Sequence, residues 1–339
     1  MTDRYLPRLL AAVVCALGGA CGGDTDDDDT GATTMPGTGA NDSGTSAPGS
    51  DDLPAGDDTT TTSATATGPA TDDGTETTAS VDDDTSAPEC VPYDPWFYDG
   101  FESYTPEQSL SGMSPFDAAG RTAATDEVAY AGALAARMEI RPEDNGGFGQ
   151  WGGILPLPDI AKGESVWVRL WVRWPAAFEF SASPWMKFLR LHDRRADGSN
   201  GGYNDLYVDN ADGKTSVLRV IKEVHDVWEV YDGPALPRDT WERYEMQIVV
   251  DDVPVDDGGE GRFRVWRDDD LVFDRTDVPT VTGPDDVLDY LYVFTYWNNE
   301  APPANTAYVD EIAIATDDAP PPNVDAAGHP RIGDWLPCR

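Results

Sequence analysis

Basic residues are scarce. The 339-residue chain has 23 Lys and Arg against 63 Asp and Glu, a formal charge of −40. A balance so acidic excludes a nucleic-acid partner, because phosphate contacts need a basic face. Between Gly22 and Pro88 there is no Lys or Arg at all, alongside 16 acids. Residues 89–339 account for −25 of the charge, so the total mixes two unlike regions. Cysteine is also rare, with four in the chain and no Cys-x-x-Cys pair, so a structural zinc site lacks support. Only three histidines occur, His192, His225 and His329, and His329 sits in an inert Pro-rich tail. No His-Glu-x-x-His or Gly-x-Ser-x-Gly is present, so a zincin and a serine esterase lack support too. No stretch beyond the N-terminus is long and apolar enough to span a bilayer.

What is present divides the chain in three. Arg4 and Arg8 precede an apolar run from Leu9 to Leu17, then Gly18, Gly19, Ala20 and Cys21. This is a secretory pattern, and its end resembles a bacterial lipoprotein signal over residues 1–21, which implies lipidation of Cys21. Leu17 stands four residues before Cys21, where three is usual. Residues 22–88 are Asp, Thr, Gly, Ser, Ala and Pro, with Met35, Leu53 and Val81 isolated. Such a segment cannot offset its ordering entropy by burial, so an extended, disordered acidic tether is expected. About 250 residues, 89–339, remain for one domain with a real core. Cys90 and Cys338 bracket that domain, which suggests one disulfide in an oxidising compartment. The expected address is exported: lipid-anchored at the cell envelope or surface, otherwise secreted, with contact to the membrane through the anchor only.

Helical periodicity is hard to find in the domain, while strand signals recur. Runs at 133–140, 165–174, 186–192, 205–208, 217–223, 243–250, 261–267, 290–297 and 307–315 are rich in β-branched and aromatic residues. Gly, Asn, Asp and Pro clusters separate them. This predicts an all-β antiparallel sandwich or barrel. Alternation puts Val168, Leu170, Val172 and Trp174 on a core face and Trp167, Arg169, Trp171 and Arg173 on the other. Tyr244, Met246, Ile248 and Val250 likewise oppose Arg243, Glu245 and Gln247. Tyr292, Phe294, Tyr296 and Asn298 are expected on one face of their strand.

Three stretches carry a family resemblance: Asp99-Gly100-Phe101-Glu102; Trp241-Glu242-Arg243-Tyr244 with Gly261–Asp269; and the closing Tyr308–Ala315. Together they resemble concanavalin A-like jelly rolls, in particular the polysaccharide lyase and heparin-lyase-like branch, over most of 95–316. The resemblance implies a jelly-roll sandwich and recognition of an extracellular polysaccharide. β-Elimination of a uronate chain is one outcome, and a non-catalytic lectin or adhesion module is the alternative. Fold alone does not choose between them. A monomer is expected.

Several constellations suit such a ligand. The Trp167/Arg169/Trp171/Arg173 stripe offers aromatic faces for sugars and planar forks for carboxylates. An outer face whose Arg stems cover apolar surface fits the same residues. Trp185–His192 packs Lys187, Arg190 and His192 into an apolar strand, with Arg190 and His192 on one face and Lys187 opposite unless a bulge intervenes. Tyr203, Asn204 and Tyr207 follow a Gly-rich loop, and Tyr292, Tyr296 and Asn298 lie on a late strand. Carried over by type, the resemblance implies Arg190 and His192 as neutraliser or base and Tyr292 or Tyr296 as acid. Glu223 and Glu229 are six apart, roughly 20 Å when extended. Glycosidase carboxyls stand about 5–9.5 Å apart, so a hydrolase is rejected. No cofactor is required, but Asp99, Glu102 and Asp310 could meet around a structural calcium.

Overall fold

A computed structural model describes residues 92–113, 116, 121–141, 152–180, 185–209, 216–297 and 304–338. Cys21, Cys90, Asn298, the signal and the tether lie outside the described residues. Sixteen strands and short 3-10 turns are formed, and no α-helix occurs among the described residues. The strands are β1 (Phe97–Asp99), β2 (Thr122–Thr125), β3 (Ala135–Ile140), β4 (Gly153–Ile160), β5 (Ser165–Arg173), β6 (Trp185–Arg194), β7 (Asn200–Asp209) and β8 (Val217–Lys222). They continue as β9 (Val227–Val230), β10 (Trp241–Val249), β11 (Arg262–Arg267), β12 (Asp270–Arg275), β13 (Val287–Trp297), β14 (Asn305–Thr316), β15 (Asn323–Val324) and β16 (Pro330–Arg331).

Two antiparallel sheets form the jelly-roll sandwich that the resemblance implies. The larger runs β12-β11-β10-β5-β14-β3-β2, with β1 also on β14. The smaller runs β4-β13-β6-β7-β8-β9. All nine strand runs in the sequence are formed. Strand β4 was not evident, because Pro156 and Pro158 interrupt its pattern. It is an edge strand, where missing N–H donors cost nothing in the ladder.

Alternation holds in the best strands. Val166, Val168, Leu170, Val172 and Trp174 are fully buried in the core between the sheets, with Tyr244, Met246, Ile248 and Val250 from β10. Each such side chain is worth about 1.5–3 kcal/mol on burial. The smaller sheet contributes Leu189, Leu191, Leu206, Val208, Leu291 and Val293. Trp174 anchors the middle, edge-on to Phe178, Phe180, Phe188 and Phe294, and its Nε1 donates to the Tyr244 hydroxyl at 3.2 Å. Phe294 corrects the expected face: it lies in the core, not beside Tyr292. The chain takes φ 50° there, and the β13–β6 register shifts between Val293 and Tyr296.

The Trp/Arg stripe is corrected as well. It lies on the outer face of the larger sheet, away from the smaller one, where the C-terminal segment covers Trp167 and Arg169 and internal loops meet Trp171 and Arg173. Trp167 packs with Ala313, Ala315, Ile332 and Trp335, and its Nε1 donates to the Pro330 carbonyl at 2.9 Å. Arg169 is 0% exposed and donates to the Trp335 carbonyl at 3.0 Å. Trp171 is stacked on Tyr130 with ring centroids 3.6 Å apart. Arg173 pairs with Asp239 at 3.3 Å. Trp167, Arg169 and Trp171 are thereby enclosed, and Arg173 alone of the four keeps a partly exposed side chain.

The calcium triad does not assemble either. Asp99 accepts from the Phe101 N–H and the Tyr104 hydroxyl, and Glu102 from the Ala133 and Leu134 N–H groups. Asp310 accepts from the Tyr130, Ala131 and Glu311 N–H groups. The three carboxylates serve as loop fasteners. No cluster of three potential metal ligands occurs among the described residues.

Candidate functional site

The outward face of the smaller sheet carries the remaining candidates. Strands β6, β7 and β13 are in register there: His192 faces Tyr203 and Tyr290, and Arg190 faces Asp205 and Tyr292. Directly paired residues share a face, so Arg190, His192, Tyr203, Asp205, Tyr290 and Tyr292 project together. Lys187 joins them. A bulge between Lys187 and Leu189 turns it to the same side, opposite Tyr207 and level with Tyr296 in register. Lys187 is almost fully buried.

Arg190 is 3% exposed. Its Nε donates to Asp205 at 2.6 Å, a second nitrogen reaches Glu223 at 3.4 Å, and its guanidinium lies 3.7 Å from the centre of the Tyr203 ring. Arg190 is therefore a floor beneath Tyr203. Burial pushes the Asp205 carboxyl up, opposed by Arg190. The Tyr203 and Tyr292 rings meet edge to face at 5.4 Å. Burial pushes both phenols up, so both keep their protons at neutral pH.

His192 stands beside this pair, its ring 5.2 Å from Tyr203 and 6.1 Å from Tyr290. Its Nδ1 is 2.6 Å from Asp289, and Arg194 Nε donates to the other oxygen of Asp289 at 2.9 Å. Arg194 also reaches Asp159 at 2.7 Å. Asp289 thus holds two side chains at once. A carboxylate on Nδ1 fixes the tautomer and leaves Nε2 as the free lone pair. Nε2 has no partner among the described residues.

Some expected site residues lie elsewhere. Asn204 turns away from this face and donates to the Thr280 carbonyl at 2.8 Å, next to the buried pair Lys222–Asp193. It is a strut of the sandwich end, not a sugar contact. Tyr207 is on the face but 2% exposed, edge-on to Trp228. Glu223 belongs to Arg190, whereas Glu229 pairs with Arg275 at 3.1 Å. The two do not form a carboxylate dyad.

Asp289, Tyr290 and Arg194 were missed. Tyr290 stands two before Tyr292, and Arg194 two after His192, so period-2 alternation would have found both. Asp289 carried no such signal. The β13 ladder shifts between Leu288 and Tyr290, and that irregularity turns Asp289 toward His192.

Comparison with known proteins gives the face a context. A family model described as polysaccharide lyase matches residues 98–313. Among solved structures, the chain is similar to an endo-β-1,4-glucuronan lyase from the fungus Trichoderma reesei. Identity is 16%, with 66% of this chain and 95% of that chain covered at a TM-score of 0.44. Alginate lyase Aly36B is 14% identical, covering 65% of this chain and 96% of that chain at 0.48. Alginate lyase vAL-1 from Chlorella virus is 14% identical, covering 58% and 89% at 0.43. No curated protein matches the chain.

Proposed function

The chain belongs to the polysaccharide lyase family, and from that membership we propose that the face around His192 and Tyr292 cleaves a uronate-containing polysaccharide by β-elimination. The observation that carries this reading is the pairing of an imidazole with one free nitrogen and a protonated phenol on one sheet face. The reaction needs both. The C5 proton passes to His192 Nε2, the C4–O bond breaks, and a C4–C5 double bond forms. Tyr292 gives its proton to the leaving oxygen. C5–H is acidic only when its carboxylate is neutralised. Arg194, about one-third exposed beside His192, meets that need better than the enclosed Arg190. Asp289 orients His192 and Arg194 together.

Glucuronan and alginate are the substrates to try. The product carries a conjugated carboxylate with strong ultraviolet absorbance. Absorbance should rise with at least one glycan and stay flat with His192→Ala. Retained glycan binding with no absorbance change on either polymer would overturn elimination in favour of a lectin.

We further propose export, lipidation at Cys21, an acidic tether over 22–88 and closure of the 89–339 domain by a Cys90–Cys338 disulfide. Cys338 lies in a shallow hollow with Pro92 and Tyr93, two and three residues past Cys90, which supports that pairing. Labelled palmitate on Cys21 tests the anchor, and a thiol count on the oxidised domain tests the bridge.

A further inference from the structure

Five large apolar side chains are exposed among the described residues, and three of them, Tyr290, Trp228 and Val230, belong to the smaller sheet. Their placement follows from register. Ile154, Tyr292, Arg190, Asp205, Ile221 and Trp228 are direct cross-strand partners from β4 to β9. Trp228 therefore ends the row that passes through Tyr292 and Arg190. Three strand spacings separate it from β6, about 14 Å.

Trp228 is 37% exposed on an edge strand, yet it is held in place. Its Nε1 donates to Asp226 at 2.6 Å, and Asp226 adopts φ 49° at the end of the 3-10 turn Glu223–His225. The Arg219 guanidinium lies over one face of the ring, 5.0 Å from its centre, and is pinned by Asp209 at 2.5 Å. Tyr207 meets the indole edge-on at 6.3 Å. An indole held from beneath by a guanidinium and exposed on its other side suits stacking against the apolar face of a sugar ring.

We propose that Trp228, with Arg219, is a distal saccharide platform that holds the substrate chain several sugars from the point of cleavage and makes the protein favour long chains. This rests on the lyase reading for the centre of the face. On the other side of His192, exposed Tyr290 offers a second apolar contact, so a chain laid across the strands touches both.

The test compares the full-length protein with Trp228→Ala and Trp228→Phe on glucuronan or alginate polymer and on the matching trisaccharide. The ratio of polymer to trisaccharide kcat/KM should fall about tenfold in Trp228→Ala, mostly through KM for polymer, and recover largely in Trp228→Phe. An unchanged ratio in Trp228→Ala overturns the proposal. So does a phenylalanine that restores nothing while all three proteins melt alike. Retardation in gels cast with either polymer reads binding without turnover. If the wild type turns over neither glycan but is retarded, and Trp228→Ala is not, the lyase reading fails and the platform stands. If turnover occurs and Trp228→Ala is retarded like the wild type, the platform fails and the lyase reading stands.

Discussion

Two faces of this sandwich carry the same kinds of side chain and do opposite things. The outer face of the larger sheet has Trp167, Arg169, Trp171 and Glu245. The outward face of the smaller sheet has Arg190, His192, Tyr203 and Tyr292. On the first, the C-terminal segment lies across the strands and uses the polar groups. Glu245 accepts from the Ile332 and Gly333 N–H groups at 2.6 and 2.9 Å, and Arg331 reaches Asp269 at 2.7 Å. On the second, ion pairs lock the underlying arginine, and an imidazole nitrogen and a phenol are left over. A tryptophan–arginine pattern becomes a ligand surface only where the chain does not return to cover it.

The largest expected effect is on the open face. Replacing His192 by Ala should lower kcat/KM by about 10²–10⁴-fold with the melting temperature unchanged. The mirror-image effect belongs to the covered face. Glu245→Ala strands two backbone donors in the interior and removes one of the two carboxylate charges near buried Arg169, and should cost about 3 kcal/mol or more in denaturant unfolding. Activity per folded molecule should stay at the wild-type level. If activity fell in step with stability, the two faces would not be independent.

A smaller effect sharpens the role of Asp289. Asp289→Ala should slow turnover about 10–100-fold, and only part of that loss should persist in a His192→Ala background, the part that acts through Arg194. Fully additive losses would mean that Asp289 does not act through His192 at all.

The smallest effect is a pH dependence on the covered side. Burial and the adjacent Glu311 carboxylate push Asp310 up to about 7. The unfolded chain titrates the same group near 4, so between about pH 4 and 7 the native state binds the extra proton. Stability from this group is complete below that window and is lost as pH rises through about 7. Asp310→Asn mimics the protonated form, so the fall in melting temperature from pH 5 to 7.5 should be shallower in the variant. Parallel curves would refute the assignment.

The sandwich was legible in the sequence because period-2 alternation is strong where one face meets the core, as in Val168–Trp174 and Tyr244–Val250. Alternation distinguishes two faces but does not say which outer face is roofed. That depends on the returning segment around Ile332–Trp335, far away in sequence, and so the Trp/Arg stripe looked like a platform. Bulges were equally hidden. The one beside Phe188 brings Lys187 round to the Arg190 side, and the one at Phe294 sends that ring inward. Arg190 and His192 were recognisable as unusual in an apolar strand. Their unequal exposure was not, because Asp205 and Glu223 enclose only Arg190.

The most direct test of the central claim is the initial rate of unsaturated-uronate absorbance for the wild type and Tyr292→Phe, on glucuronan and on alginate. The wild type should turn over at least one polymer, and the variant should be slower by about a hundredfold or more at equal melting temperature. A Tyr292→Phe protein as fast as the wild type would contradict that claim.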